Sequence, residues 1–376
     1  MSELTIADIR ARAVIAPLRR PIRTASGAIE ASPLLLLDVI TEQGITGSAY
    51  LFAYTPLMLK PLHALVGQLL PLLRGQAVVP LARQQQLEQQ FRLLGLQGLL
   101  GMVVSTLDMA LWDALGKAAN QPVVRLLGGE PRPVRAYDSW GLVDPARDAA
   151  ALADSVEQGF RGIKIKLGGA DLAHDLVTVR EVRRIVGEDI ALMVDYNQSL
   201  QPGEAIRRMY ALEPFALEWV EEPVAAEDLQ GHARVRAQTR LPVQTGENWW
   251  FPRDAERALS VQACDRMMPD LMKIGGITGW LSVMGLARAA SMPVSSHLFI
   301  EASAHVLAVT PTCDWLEFMD FGSPVLQTPS RIDQGVSSPR GPAWASSGTK
   351  RPWRGMWWID GVVDQFTRLP LCWSNR

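Results

Sequence analysis

The sequence predicts an α/β protein in which a (β/α)8-type barrel follows an α+β N-terminal unit. Three observations carry that reading. From about residue 133, short apolar strands alternate with amphipathic helical stretches, and one strand–helix unit with its loops takes roughly 25 to 30 residues. Asp195, Glu221 and Glu247 recur 26 residues apart, each closing an apolar run. Before residue 130 the texture differs, with long strand-like runs first and helices after them, the order of an antiparallel sheet with helices packed on it.

Taken in order, residues 7–18 (ADIRARAVIAPL) and 33–52 (PLLLLDVITEQGITGSAYLF) read as strands, the second run turning at a glycine. Helical patterns follow at 55–73, 80–94 and 98–119, the last closed by Lys117, Asn120 and Pro122, as helix C-termini often are. Eight barrel strands are expected at VRAYDS, GIKIKLG, ALMVDYN, LEWVEEP, PVQTGE, RMMPD, MPVSSH and DWLEF. The segments between them include helical patterns at 144–160 and 171–187. The organisation expected is residues 1–130, 131–320, and a C-terminal segment 321–376.

A net charge of −2 gives no reason to expect nucleic acid or an anionic membrane as partner. Cys264, Cys313 and Cys372 are too scattered for a disulfide framework, so a cytoplasmic setting is expected. The opening MSELTIADIRARAV lacks a signal-peptide pattern, and the apolar runs are read as too short to span a bilayer.

Neighbouring parallel strands bring Asp195, Glu221 and Glu247 to one barrel mouth, where three anions repel unless a hard divalent cation sits between them. Lys164 and Lys166 are two apart on one strand, so they face the same way. Two ammoniums in one pocket would lower each other's pKa, which suits a base. Such a pair is also common on solvent-facing edges, but Ile163, Ile165 and Leu167 mark this strand as buried. His297 ends MPVSSH and Asp270 ends RMMPD, so a carboxylate one strand away can fix the imidazole's tautomer. Glu317 ends DWLEF. His63, His174, His232 and His305 fall in helical or loop contexts and are read as structural or solvated.

With LFAYTP at 51–56, AYDS at 136–139, KIK at 164–166, VDYNQSL at 194–200, EEP at 221–223, GENW at 246–249, PDLMKIGGITGW at 269–280, SSHLF at 295–299 and SAH at 303–305, the chain resembles the mandelate racemase subgroup of the enolase superfamily. The resemblance implies a modified, TIM-like barrel capped by the N-terminal domain. It implies Mg²⁺, with Mn²⁺ as the alternative, on Asp195, Glu221 and Glu247. Lys166 would be the base on one face of the substrate's α-carbon and His297, held by Asp270, the base on the other. Lys164 would neutralise the carboxylate, Glu317 would hydrogen-bond it as it becomes an enediolate, and Asn197 would meet the α-hydroxyl. Ile22, Ile29, Phe52, Tyr54, Leu93, Leu298 and Met319 would form an apolar substrate pocket, with Ser139 and Trp140 beside them. The activity implied is racemisation of a small 2-hydroxy aryl acid, mandelate or a close analogue, by a homo-oligomer, an octamer by resemblance. An acid-sugar dehydratase and a catalytically silent scaffold are the competing readings. Trp140 stands where the family pattern has a histidine, and Arg23 also departs from it.

Past Gly335 the resemblance stops, and the tail has five tryptophans without a period. The single-codon residues Met356, Trp357 and Trp358, read two bases downstream, give Val-Val-Asp and permit a stop. The same frame upstream permits P-G-L-G-I-E-W-D-E, so a frameshift near 335–338 is expected, leaving Trp344, Trp353, Trp357 and Trp358 without partners.

Overall fold

A computed structural model describes residues 3–24, 27–169 and 171–339, and the backbone of 357–358. Apart from residues 336–339 and that last pair, the tail and the reading of it as frameshifted lie outside the described residues.

The N-terminal strands are longer than their sequence pattern shows. Strands β1 (Ile6–Thr24), β2 (Gly27–Thr41) and β3 (Thr46–Phe52) form an antiparallel meander. Leu34 to Leu37 are buried without alternation, as in a strand covered on both faces. Three helices follow: α1 (Leu59–Leu73), α2 (Pro80–Gln90) and α3 (Leu99–Ala119). Helix α3 ends at Asn120 in the left-handed region, a conformation that asparagine tolerates better than most residues with a β-carbon. It packs so closely on β3 that a β-carbon on Gly47 would lie 2.0 Å from the Ala110 carbonyl oxygen.

By length and composition alone, Pro56–Leu73 and Leu99–Ala119 reach the mean hydropathy of a membrane span, contrary to the sequence reading. The second is a 21-residue core helix, largely buried against protein. It carries Asp108, whose carboxylate accepts from the Thr278 amide and hydroxyl and so ties the N-terminal unit to the barrel.

After the short α4 (Val123–Leu126), strands and helices alternate: β4 (Val134–Leu142), α5 (Pro145–Glu157), β5 (Gly162–Lys166), α6 (Leu172–Val186), β6 (Ala191–Asp195), α7 (Pro202–Leu212), β7 (Trp219–Glu221), α8 (Leu229–Gln238), β8 (Val243–Thr245), α9 (Phe251–Ser260) and β9 (Arg266–Met267). Then come α10 (Gly276–Ala289), α11 (Ile300–Val309) and β10 (Leu316–Phe318), which pairs in parallel with β4 and closes the barrel. The expected seventh strand, MPVSSH, forms no continuous ladder. It is held by single parallel bridges, Met267 to Val294, Asp270 to His297 and Val294 to Cys313. Strand β11 (Val336–Ser337) runs antiparallel to β4, and β12 (Trp357–Trp358) joins the N-terminal sheet through Val14 and Ile15.

Candidate active site

Parallel register builds the floor of the site. Lys164, Met193 and Trp219 lie in one row across β5, β6 and β7; two residues on, Lys166, Asp195 and Glu221 form the next. The second row ends its strands, and so carries charge to the C-terminal mouth of the barrel. Non-glycine residues with positive φ gather in the turns just beyond: Asn197 at 42°, Glu222 at 34° and Leu298 at 49°. Backbone strain of this kind persists where surrounding contacts over-determine it.

Carboxylate oxygens of Asp195, Glu221 and Glu247 all lie within 4.8 Å of one another. Lys166 Nζ donates to Asp195 Oδ2 at 2.8 Å and also to Asn197 Oδ1. Lys164 Nζ donates to Glu221 Oε1 at 2.6 Å and sits 2.8 Å from Glu317 Oε1. On the other side, His297 Nδ1 lies 2.5 Å from Asp270 Oδ2, while its Nε2 lies 3.3 Å from Glu247. Asp270 is itself fixed by the Met272 amide, and Glu317 by the Leu298 amide.

The electrostatics fit a divalent cation. Burial, with the charges of Asp195, Glu247 and Glu317 and against the pull of Lys164, pushes Glu221 up to about 8. That is the signature of unmet negative charge, which a cation on these oxygens would relieve. Hard oxygen donors alone, with no sulfur or nitrogen among them, suit Mg²⁺. The lysines do not behave as the sequence suggested. Burial and the repulsion from Lys164 favour the neutral amine at Lys166, but the charge and hydrogen bond of Asp195 together with the charge of Glu247 outweigh them, so its pKa is raised. Lys164 is raised further, because Glu221 and Glu317 overcome its burial. His297 stands at about 9, with burial opposed by Glu247 and Glu317 and by Asp270. Glu317 falls to about 2 despite burial, held by Lys164 and His297. The carboxylates that hold Lys166 charged are thus the ones a cation would neutralise.

Above the floor is a cavity of about 370 Å³. Its lining takes in Lys164, Lys166, Asp195, Asn197, Glu247, His297 and Glu317 below, and Ile22, Ile29, Phe52, Tyr54, Leu298 and Met319 above. Thus the three metal candidates, both base candidates and most of the expected apolar pocket come together.

Three expected pocket residues do not. Leu93 lies 95% exposed in the turn beyond α2, which stops at Gln90, and lines no part of the cavity. Ser139 is buried in register with Lys164, outside the lining, and its Oγ has no partner among the described residues. Trp140 is turned away because β4 bulges. Ser139 pairs Lys164 and Leu142 pairs Lys166, so three residue steps on β4 oppose two on β5. A bulge of this kind breaks the strand's alternation and re-aims a side chain. The Trp140 indole instead donates to Asp138 Oδ2 at 2.8 Å. Arg23 likewise points out of the pocket, to Asp148 on α5.

Sequence reasoning missed Thr24, Leu142, Gly168, Gly169, Ser199 and Phe321, which also line the cavity. It also missed a chain behind the metal candidates: Lys273 Nζ donates to Asn248 Oδ1 at 2.6 Å, and Asn248 Nδ2 donates to buried Glu222 at 2.8 Å. Their placement inside GENW, EEP and PDLMKIGGITGW was the available signal.

Comparison with known proteins decides the family. Residues 6–128 match the family described as mandelate racemase / muconate lactonizing enzyme, N-terminal domain, and residues 147–343 match enolase C-terminal domain-like. The chain belongs to the mandelate racemase subgroup of the enolase superfamily. It is a Mg²⁺-dependent enzyme of that superfamily. A solved enolase from Bradyrhizobium, complexed with magnesium and mandelic acid, is 53% identical, with a TM-score of 0.90 over 91% of this chain and 95% of that one. An enolase from alpha pretobacterium bal199 with bound magnesium is 38% identical, with a TM-score of 0.87 over 95% of this chain and 97% of that one. Among curated relatives, the L-talarate/galactarate dehydratase of Salmonella typhimurium is 32% identical over 69% of this chain and 67% of its own length. Matches to the first curated relatives span about two thirds of those proteins or somewhat less, from 67% to 62%.

Proposed function

We propose that this enzyme racemises a small 2-hydroxy aryl acid, mandelate or a close analogue, by moving one proton between two bases. The observation that carries the reading is the pairing of Lys166 with the His297–Asp270 couple around one cavity whose upper lining is apolar. Bound Mg²⁺ supplies Lewis-acid stabilisation of the charge that gathers on the substrate's carboxylate.

The chain's own groups do the rest. Lys164 holds one carboxylate oxygen by charge, where charge increases as the α-proton leaves, and the Glu317 carboxylate, 2.8 Å from Lys164, keeps that lysine charged. Lys166, as the neutral amine, takes the α-proton from one face, and the C–H electron pair moves into the carboxylate to give an enediolate. His297 as imidazolium then returns a proton to the opposite face, which inverts the centre. The reverse direction uses neutral His297 as base and the Lys166 ammonium as acid. Asp270 holds Nδ1 and so leaves Nε2 free for the transfer. Asn197 would meet the α-hydroxyl, and Ile22, Ile29, Phe52 and Met319, which line the same cavity, would cover the ring.

An acid-sugar dehydratase would use the same bases, and the talarate/galactarate dehydratase relative favours it. The apolar roof weighs against it, because a polyol would leave its hydroxyls unpaired there. Polarimetry on the Mg²⁺-loaded enzyme with a single enantiomer of mandelate tests the proposal. Rotation decaying to zero supports racemisation; constant rotation, with 2-keto product formed from aldonates, moves the assignment to dehydration.

A further inference from the structure

The hairpin that roofs the cavity is built differently from the sheet it extends. Pro17 pairs Ala31, but the next pair is Ile22 with Ile29, so residues 18–21 of β1 oppose only Glu30 of β2. Such an expanded bulge bends a hairpin and sets a new direction for its end. Here the bent end carries Ile22, Thr24 and Ile29 over the cavity.

Arg20 sits inside that bulge. Its guanidinium donates to both oxygens of Asp138, Nη1 to Oδ2 at 2.9 Å and Nη2 to Oδ1 at 2.6 Å, and also to the Ser139 carbonyl at 2.9 Å. The same guanidinium lies 3.9 Å from the ring centre of Trp140. Asp138 is buried and takes two further donors, Trp140 Nε1 at 2.8 Å and Ser155 Oγ at 2.6 Å. Next along, Gly141 meets the hairpin backbone so closely that an added β-carbon would lie 2.3 Å from the Arg23 carbonyl oxygen and 2.6 Å from its nitrogen. Arg23 closes the row on Asp148, at 3.3 Å.

We infer that Arg20, Trp140 and Gly141 form a dock that fixes the roof hairpin over the substrate cavity, and that Arg20 and Trp140 set substrate specificity by positioning Ile22 and Ile29 rather than by touching the substrate. Two bulges face each other there, one in β1 and one in β4, and the planar guanidinium joins them. A lysine could not replace it, since it offers neither the bidentate fork nor the stacking plane. The two departures from the family pattern, Arg23 and Trp140, both belong to this contact. The specificity consequence rests on the cavity being the substrate's; the docking itself does not.

Hydrogen exchange and steady-state kinetics on full-length, Mg²⁺-loaded enzyme test it. Arg20→Ala should fold, because Asp138 keeps the Trp140 and Ser155 donors. Gly141→Ala disturbs the same contact by shape, without removing charge. Both variants should exchange the amides of residues 22–24 and 27–29 at least about tenfold faster, while those of β5 and β6 are unchanged. Both should raise KM for mandelate by about tenfold with little change in kcat and in Mg²⁺ affinity. Arg20→Lys should behave like Arg20→Ala. Unchanged exchange in the hairpin, or full retention of KM in Arg20→Lys, overturns the inference. Should the wild type turn over no 2-hydroxy acid, the proposed reaction falls, while hairpin exchange still decides the dock.

Discussion

Floor and roof of the cavity are made of opposite materials. The floor is buried charge: Lys164, Asp195, Glu221 and Glu317 are all almost fully enclosed, Lys164 pairing with Glu221 and Glu317, and Asp195 with Lys166. The roof is apolar where it faces the cavity and keeps its charges, Arg20 and Arg23, on the outside, against the barrel wall. Parallel strand register positions the floor groups of β5, β6 and β7, so a shift of one would disturb its neighbours. A hairpin with a bulge positions the roof, and a bulge can change without breaking the sheet. On the proposed function, the chemistry is lodged in the register-bound floor, and the choice of substrate in the bulged roof.

The largest effect should come from the floor's metal triad. Removing Mg²⁺ with EDTA should abolish turnover, and added Mg²⁺ should restore it. Glu247→Gln, which leaves the strand register alone, should lower kcat/KM by at least about 10²–10³-fold, together with weaker Mg²⁺ binding by calorimetry. Full activity in metal-free enzyme would break the division between floor and roof.

A smaller effect is expected from the roof. Ile29→Ser places a hydroxyl in the cavity lining, where the proposed substrate's ring would sit, and should raise KM for mandelate by about tenfold, with Mg²⁺ affinity unchanged. A variant that instead lost Mg²⁺ would show that roof and floor are not separable.

The smallest effect concerns the tie between the two units. Burial pushes Asp108 up to about 7, against the hydrogen bonds from Thr278, whereas an unfolded carboxyl has its ordinary value of 3.8. The fold therefore favours the protonated form. Its stabilising contribution is complete below about pH 4 and is lost as pH rises towards 7, with a slope of at most about 1.4 kcal/mol per pH unit. Asp108→Asn should flatten that part of the profile of unfolding free energy measured by urea titration. Glu301, also raised to about 7 by burial, should supply part of the slope that is left, with buried Glu221 and Glu222, both raised as well, contributing in the same direction. An unaltered slope in Asp108→Asn would contradict the assignment.

The floor was legible because it follows simple periods. A two-residue alternation puts Lys164 and Lys166 on one face, and the βα spacing puts Asp195 and Glu221 at strand ends and Glu247 two residues beyond β8. What failed was what depends on a break in period. Resemblance puts Trp140 beside the pocket, and the bulge in β4 turns it away; the helical pattern through residue 94 carries Leu93, but the helix ends at Gln90. The direction of the lysine shifts was also out of reach. It depends on how close Asp195, Glu221 and Glu317 approach, which spacing does not encode.

Isotope exchange in the two single-base variants tests the central claim most directly. In deuterated solvent with Mg²⁺, His297→Asn should exchange the α-proton of one mandelate enantiomer through Lys166, and Lys166→Arg should exchange that of the other through His297, neither variant racemising. Exchange of both enantiomers at equal rates by His297→Asn, or racemisation that survives the loss of either base, would contradict a site with one base on each face.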